Sequence, residues 1–207
     1  MPASDSEDRF RRAIARFDEA NSADPTRERF EGEDHPRELL YSRRMSAWLE
    51  RLEPQAPEAV RLAVRCQHLR RWTIPRDQYP QGRAGYLKWR TTLARYHADE
   101  AETILREVGY DEATIARVRS LLLKQKLKQD PQVQLLEDVV CVVFLESYFA
   151  DFSRKHEEQK ILDIVRKTWR KMTPRGREAA LALDLPSEAR ALVERALEGD
   201  PALNPDS

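Results

Sequence analysis

At 207 residues the chain is long enough for one domain with a sizeable buried core, and its 41% hydrophobic content places it among globular rather than disordered chains. Charged residues make up 35%, yet Lys+Arg and Asp+Glu stand at 36 each, so the net charge is zero. That balance excludes a strongly basic nucleic-acid coat and an acidic tail protein, while leaving room for a local basic site.

The longest purely apolar run, Val139 to Leu145, is too short to span a bilayer. Met1 to Arg12 is acidic and then basic, with no apolar signal region. Cys66 and Cys141 sit inside apolar helical patterns and read as buried free thiols. A cytoplasmic location, with no disulfide framework and no membrane contact, is the expectation.

Nearly every segment carries a helical period. Phe10, Ala13, Ile14 and Phe17 form one stripe and predict a first helix over roughly 5–21. A polar connection from Asn21 to Asp34 follows. Pro36 suits a first helical turn with Asp34 near the cap, so a second helix runs to about Leu52. Pro57 opens a third, through Ala59, Leu62, Ala63 and Cys66 to His68, whose apolar residues surround its axis as in a central buried helix. From Trp72 to Gly85 the period stops, and four Pro and Gly residues predict a long loop with at most a short helical turn.

A fourth helix spans about Tyr86–Val108, with Arg90, Leu93, Ala94, His97, Ala101, Ile104 and Leu105 on its stripe and Gly109 as its stop. Asp111 caps a fifth, and Asp130-Pro131 opens a sixth, the most apolar, to about Phe152. A seventh carries Ile161, Ile164, Val165, Thr168, Trp169 and Met172. Pro174 and Pro186 open two shorter ones. No segment reads as a convincing strand. The expectation is an all-α single domain of about seven to nine helices, with residues 1–173 as its body and 174–207 as a C-terminal helical extension packed on it, ending in a disordered tail.

His156 lies in a charged stretch and reads as a solvated surface residue. His35, His68 and His97 each point inward if the helical stripes pack on one another. Asp138 lies among Leu135, Leu136, Val139 and Val142, where a carboxylate must be paired, metal-bound or protonated. These four suit a divalent metal such as manganese, iron, cobalt or zinc. They equally suit a buried hydrogen-bond network, with Asp138 paired to an arginine. Glu137 and Asp138, about 100° apart on a helix, do not face one point.

A second constellation is cationic and aromatic. Arg70, Arg71 and Trp72 follow His68 directly, and Lys88, Trp89 and Arg90 open the fourth helix after the loop. Lys124, Lys126 and Lys128 come later, as do Lys167, Trp169, Arg170 and Lys171. Arginine forks suit phosphate and carboxylate oxygens, and tryptophan offers a face to a base or a guanidinium. A small phosphorylated molecule or nucleotide fits this set, and is favoured over RNA. The structural alternative is that these cations pair with the equally numerous carboxylates and that the tryptophans pack in the core. Phosphate-loop, zinc-finger and hydrolase-nucleophile motifs are absent.

The order of these residues resembles that of the HD-domain metal-dependent phosphohydrolases. EDHPRELLYSRRMSAWL with His35 is similar to their first histidine segment, and PEAVRLAVRCQHLRRW with His68 to the helix ending in their His-Asp pair. HADEAETILREVGYDEATIARVRSLLLKQKL with His97 and VQLLEDVVCVVFLE with Asp138 resemble the segments that follow. The resemblance covers about residues 34–146. It implies an HD-like helical fold and a metal held by His35, His68, His97 and Asp138, with Arg71, Lys88 and Arg90 neutralising a phosphate ester. Leu69 stands where that family has the Asp of its pair, and Lys124 near a further histidine position, which implies a weakened site or a non-catalytic binding module for a phosphorylated ligand or a partner. CQHLRRW, YLKWR and KTWRKM also resemble domain-of-unknown-function family 4202.

Overall fold

The computed structural model describes residues 3–198. Ten α-helices fill most of that span: α1 Ala3–Ser22, α2 Arg37–Leu52, α3 Glu58–Cys66, α4 Arg83–Val108, α5 Glu112–Leu122, α6 Pro131–Ser147, α7 Phe149–Ser153, α8 Glu158–Trp169, α9 Pro174–Leu181 and α10 Ser187–Leu197. The Asp111 and Asp130 start signals act as read and Thr173 adds a cap not read from the sequence, whereas Asp34, expected near the cap of the second helix, lies in a strand, and Pro36 precedes α2 with no side-chain cap. Asp111 accepts from the Thr114 amide, Asp130 from the Gln132 amide, and Thr173 from the Gly176 amide, each satisfying an orphan N–H of a first turn. Gly109, at φ 91°, closes α4.

A two-stranded antiparallel hairpin, β1 Arg27–Phe30 and β2 Glu33–Pro36, corrects the all-helical expectation. Its two-residue turn is Glu31-Gly32, with φ of 51° and 84°, the pair of left-handed residues that a type I′ turn needs. His35 therefore lies in a strand, opposite Glu28, rather than in the first turn of a helix. No residue of the hairpin is buried, and RERF and EDHP hold one large apolar side chain, Phe30, so there is no apolar alternation in the sequence. Arg44 of α2 fastens it, pairing with Glu28 at 2.5 Å and lying 4.8 Å from the Phe30 ring centre.

Other differences are at boundaries. The loop expected over 72–85 holds two one-turn 3₁₀ helices, Arg71–Thr73 and Arg76–Gln78, and α4 begins three residues before the expected start. The sixth helix breaks at Tyr148, leaving α7 as a separate short piece.

Two apolar clusters hold the chain together. The first gathers α1 to α5 and one face of α6 around α3, whose Val60, Leu62, Ala63, Val64 and Cys66 are fully buried. The second joins the other face of α6 (Cys141, Val142, Leu145) to Phe149, Ile161, Val165, Trp169, Ala180, Val193 and Ala196. α6 is thus apolar all round because it separates two cores. The helices after residue 174 complete the second cluster. The tail expected to be disordered lies outside the described residues. Among the described residues no helix is long and apolar enough to cross a membrane.

Candidate functional site

The end of α3 builds the site. The helix stops at Cys66, and Arg70 turns the chain sharply, its φ of 47° being left-handed. Asn21, fully buried at the end of α1, holds this turn by accepting from the Arg70 amide at 2.9 Å. Asp24, also buried, accepts from the Glu38 amide at 2.9 Å and from the Thr26 amide. Two buried polar side chains thereby bring the start of α2 against the end of α3.

His68 sits where they meet. Its Nδ1 lies 3.1 Å from Glu38 Oε2, and its ring stacks on Tyr41 at 4.3 Å and 11°. Arg71 Nε lies 3.6 Å from the other Glu38 oxygen, while its guanidinium covers the Trp89 ring at 4.8 Å. Trp89 in turn donates its indole N–H to the Ile74 carbonyl at 2.9 Å. Of the two occupants expected for a tryptophan face, a base or a guanidinium, Trp89 carries the second. His97 of α4 lies beside His68, ring centres 5.6 Å apart, and donates Nδ1–H to the Leu69 carbonyl at 2.8 Å. Leu69 itself is buried in the core, so it is this backbone oxygen that serves the cluster.

Positive charge predominates around His68. Burial first, then Arg71, Arg90, Lys124 and Arg37, holds His68 well below the usual imidazole range. Burial and His68 press His97 down to about 3. Both rings are neutral at pH 7. The Glu38 carboxylate accepts a hydrogen bond from one Nδ1–H and the Leu69 carbonyl from the other, so each Nε2 keeps its lone pair. Glu38 is pushed up by burial, with Arg71 and Arg37 opposing that shift. Lys124 is engaged with Glu137. Among the described residues Arg37 and Arg90 have no ion pair and no hydrogen bond from their guanidinium groups, and Arg71 has only the long contact to Glu38. Arg37 and Arg90 are exposed, whereas the side chains of Arg71, His68 and Glu38 keep 25%, 19% and 11% of their surface open.

The four residues expected to hold a metal do not come together. His68 and His97 adjoin. His35 is in the hairpin beside Phe30. Asp138 accepts from the Thr173 amide at 2.8 Å and the Thr173 hydroxyl at 2.5 Å, pinning the start of α9 to α6. Its partner is thus a cap residue rather than an arginine, and burial raises its pKa. Gly176 is required there, since a Cβ would lie 2.6 Å from Asp138 Oδ1. Among the described residues no three His, Cys, Asp or Glu side chains are arranged to hold a metal ion.

Of the cations and aromatics singled out beside them, Arg70 pairs with Glu100 at 3.1 Å, Trp72 is half-buried and Lys88 is exposed. Glu137 faces Lys124 and Lys171 while its neighbour Asp138 faces Thr173, as their helical offset requires. Glu38, Asn21 and Asp24 were not legible as site residues. They lie in or next to a polar connection without a period, where nothing marks a buried carboxylate.

The family model for Domain of unknown function (DUF4202) matches residues 11–193. The chain belongs to this family. The DUF4202 match spans α1 to α10 and so includes the whole His68–His97 cluster and both apolar cores. No curated protein matches this DUF4202 chain. No solved structure matches it either.

Proposed function

We propose that the chain binds a small phosphorylated molecule at the cluster of Arg37, Arg71, Arg90 and His68. The observation that carries this reading is an excess of cations around one carboxylate: Arg71 and Arg37 act on Glu38 and, with Arg90, on His68 beside it, while among the described residues Arg37 and Arg90 have no ion pair and the Arg37 guanidinium has only the Tyr148 ring at 5.9 Å. Guanidinium groups held close together repel one another, and an anion relieves that repulsion while filling their donors. Phosphate offers several oxygens to such a set. The test is thermal unfolding in chelator with inorganic phosphate, ribose 5-phosphate and phenyl phosphate. Stabilisation by at least one of them, abolished by Arg90→Gln and by Arg71→Gln, is expected. Equal melting temperatures across the panel overturn the reading.

A metal-dependent hydrolase with an HD-like fold is the second reading. What favours it is that each histidine has its Nδ1 fixed by an outer partner, Glu38 or the Leu69 carbonyl, the support that metal-bound imidazoles usually have. His97 Nε2 is enclosed and has no partner. Two nitrogens are too few for a closed protein site, so ligand or solvent oxygens would have to complete it. Metal content of protein purified without chelator, beside His97→Gln, decides between the two.

A further inference from the structure

We propose that His68 is a phosphoryl acceptor, whose Nε2 takes the phosphoryl group of a small phosphate monoester seated on Arg37, Arg71 and Arg90 and releases it to water. This rests on the phosphate-binding reading above. A nucleophile needs a free lone pair, a partner that orients it, an open approach and nearby positive charge for the transferred group. His68 meets all four. Its Nδ1 is fixed on Glu38 Oε2 at 3.1 Å, which leaves the lone pair on Nε2, and Tyr41 stacked at 4.3 Å fixes the plane of the ring. One-fifth of the side chain is open; Arg71 shares its Glu38 partner at 3.6 Å, and Arg90 and Arg37 lie close enough to act on its charge.

The other nucleophile candidates in the cores fail one condition each. His97 Nε2 is enclosed by protein. The thiols of Cys66 and Cys141 are buried and pushed up, Cys141 to about 12, so neither forms a thiolate at pH 7.

In the first step the Nε2 lone pair forms an N–P bond while the P–O bond to the leaving group breaks, its electron pair going to that oxygen. The positive charge that develops on the ring is held by the Nδ1–H contact to the Glu38 carboxylate. The leaving oxygen takes a proton from water unless it is already a stable anion. In the second step a water oxygen forms the new P–O bond, the N–P pair returns to Nε2, and one water proton passes to solvent. The products are the alcohol and inorganic phosphate, with the enzyme unchanged. No metal and no oxidant enters the balance.

The test uses the full chain in chelator with p-nitrophenyl phosphate, whose leaving group needs no proton. Alkaline quenching followed by mass mapping of wild type is expected to show one phosphoryl group on the peptide carrying His68, stable in base and lost in acid. His68→Asn should lose it, and His97→Asn, if folded, should keep it. A label on His97, or no acid-labile label on wild type that phosphate or phenyl phosphate stabilises against heat, overturns the proposal and leaves the binding reading standing. No stabilisation by any anion together with no label overturns both. The mapping is done on wild type, so it decides the matter even where a histidine variant does not fold.

Discussion

The enclosed imidazole of His97 makes a quantitative claim about acid. His97 is 4% exposed, donates Nδ1–H to the Leu69 carbonyl, and is pressed from an ordinary value of 6.5 down to about 3. In the unfolded chain it takes up a proton near pH 6.5; in the folded chain it does not until far lower. The unfolded state therefore binds more protons throughout this window, and stability falls as pH falls, by about 1.4 kcal/mol per pH unit for one such group. Between pH 6.5 and 5 the loss from His97 alone is about 2 kcal/mol, a sizeable part of the 5–15 kcal/mol or so that holds a typical domain. His68 shifts in the same direction and steepens the loss. Asp130, held near 2 by Arg117, contributes only between the usual aspartate range and pH 2, well outside this window. The assay is urea unfolding at pH 7, 6 and 5 for wild type and His97→Gln, whose amide still donates to the Leu69 carbonyl. The wild-type curve should fall more steeply, by about 2 kcal/mol over the window. Parallel curves for the two proteins would refute the burial argument.

Three further outcomes follow from the packing. Asp138→Ala and Thr173→Ala should each destabilise, and a double-mutant cycle should give a coupling of about 1–3 kcal/mol, because the pair shares charge-assisted hydrogen bonds; additive losses would mean that Asp138 has another role. Gly176→Ala should lower the urea midpoint by about as much as losing that pair, since its Cβ would meet Asp138 within 2.6 Å; a wild-type midpoint would contradict the packing. Trp89→Phe removes the donor to the Ile74 carbonyl and should raise the rate of proteolytic cutting within residues 74–82 without changing the helix content by circular dichroism.

Helix boundaries were largely written in the sequence because their signals are local. Asp111, Asp130 and Thr173 cap the helices they precede whatever else the chain does. The break at Tyr148 carries no Gly or Pro, so the period runs on through it, and the turn is set by packing instead. The hairpin was illegible for a related reason, since a strand pair with no buried residue and one large apolar side chain has no alternation to read. For the site, periodicity correctly turned His68, His97 and Asp138 inward. It could not say which inward residues meet. Asp138 turns toward α9 and His68 toward α2, and that choice depends on how helices pack around one another, not on the spacing within any one of them.

Why the cluster forms where it does can be traced to one helix end. The last carbonyls of a helix have no amide to receive, and cations gather there. In α3 the chain leaves through the left-handed Arg70, which frees the Leu69 carbonyl to set the tautomer of His97 and returns Arg71 toward Glu38. A non-glycine residue in that conformation costs about 1 kcal/mol and needs an outside hold. Asn21 supplies it by accepting from the Arg70 amide, and its own amide donates to the Glu38 carbonyl at 3.4 Å. Asn21→Ala should therefore do two things. It should cost about 1–3 kcal/mol for the buried amide left unpaired. It should also weaken the stabilisation given by phosphate, because Arg71 is no longer carried to its place. The second effect separates a brace of the site from a mere brace of the fold. If Asn21→Ala loses stability yet keeps the wild-type shift in melting temperature with phosphate, the turn at Arg70 does not position the anion site.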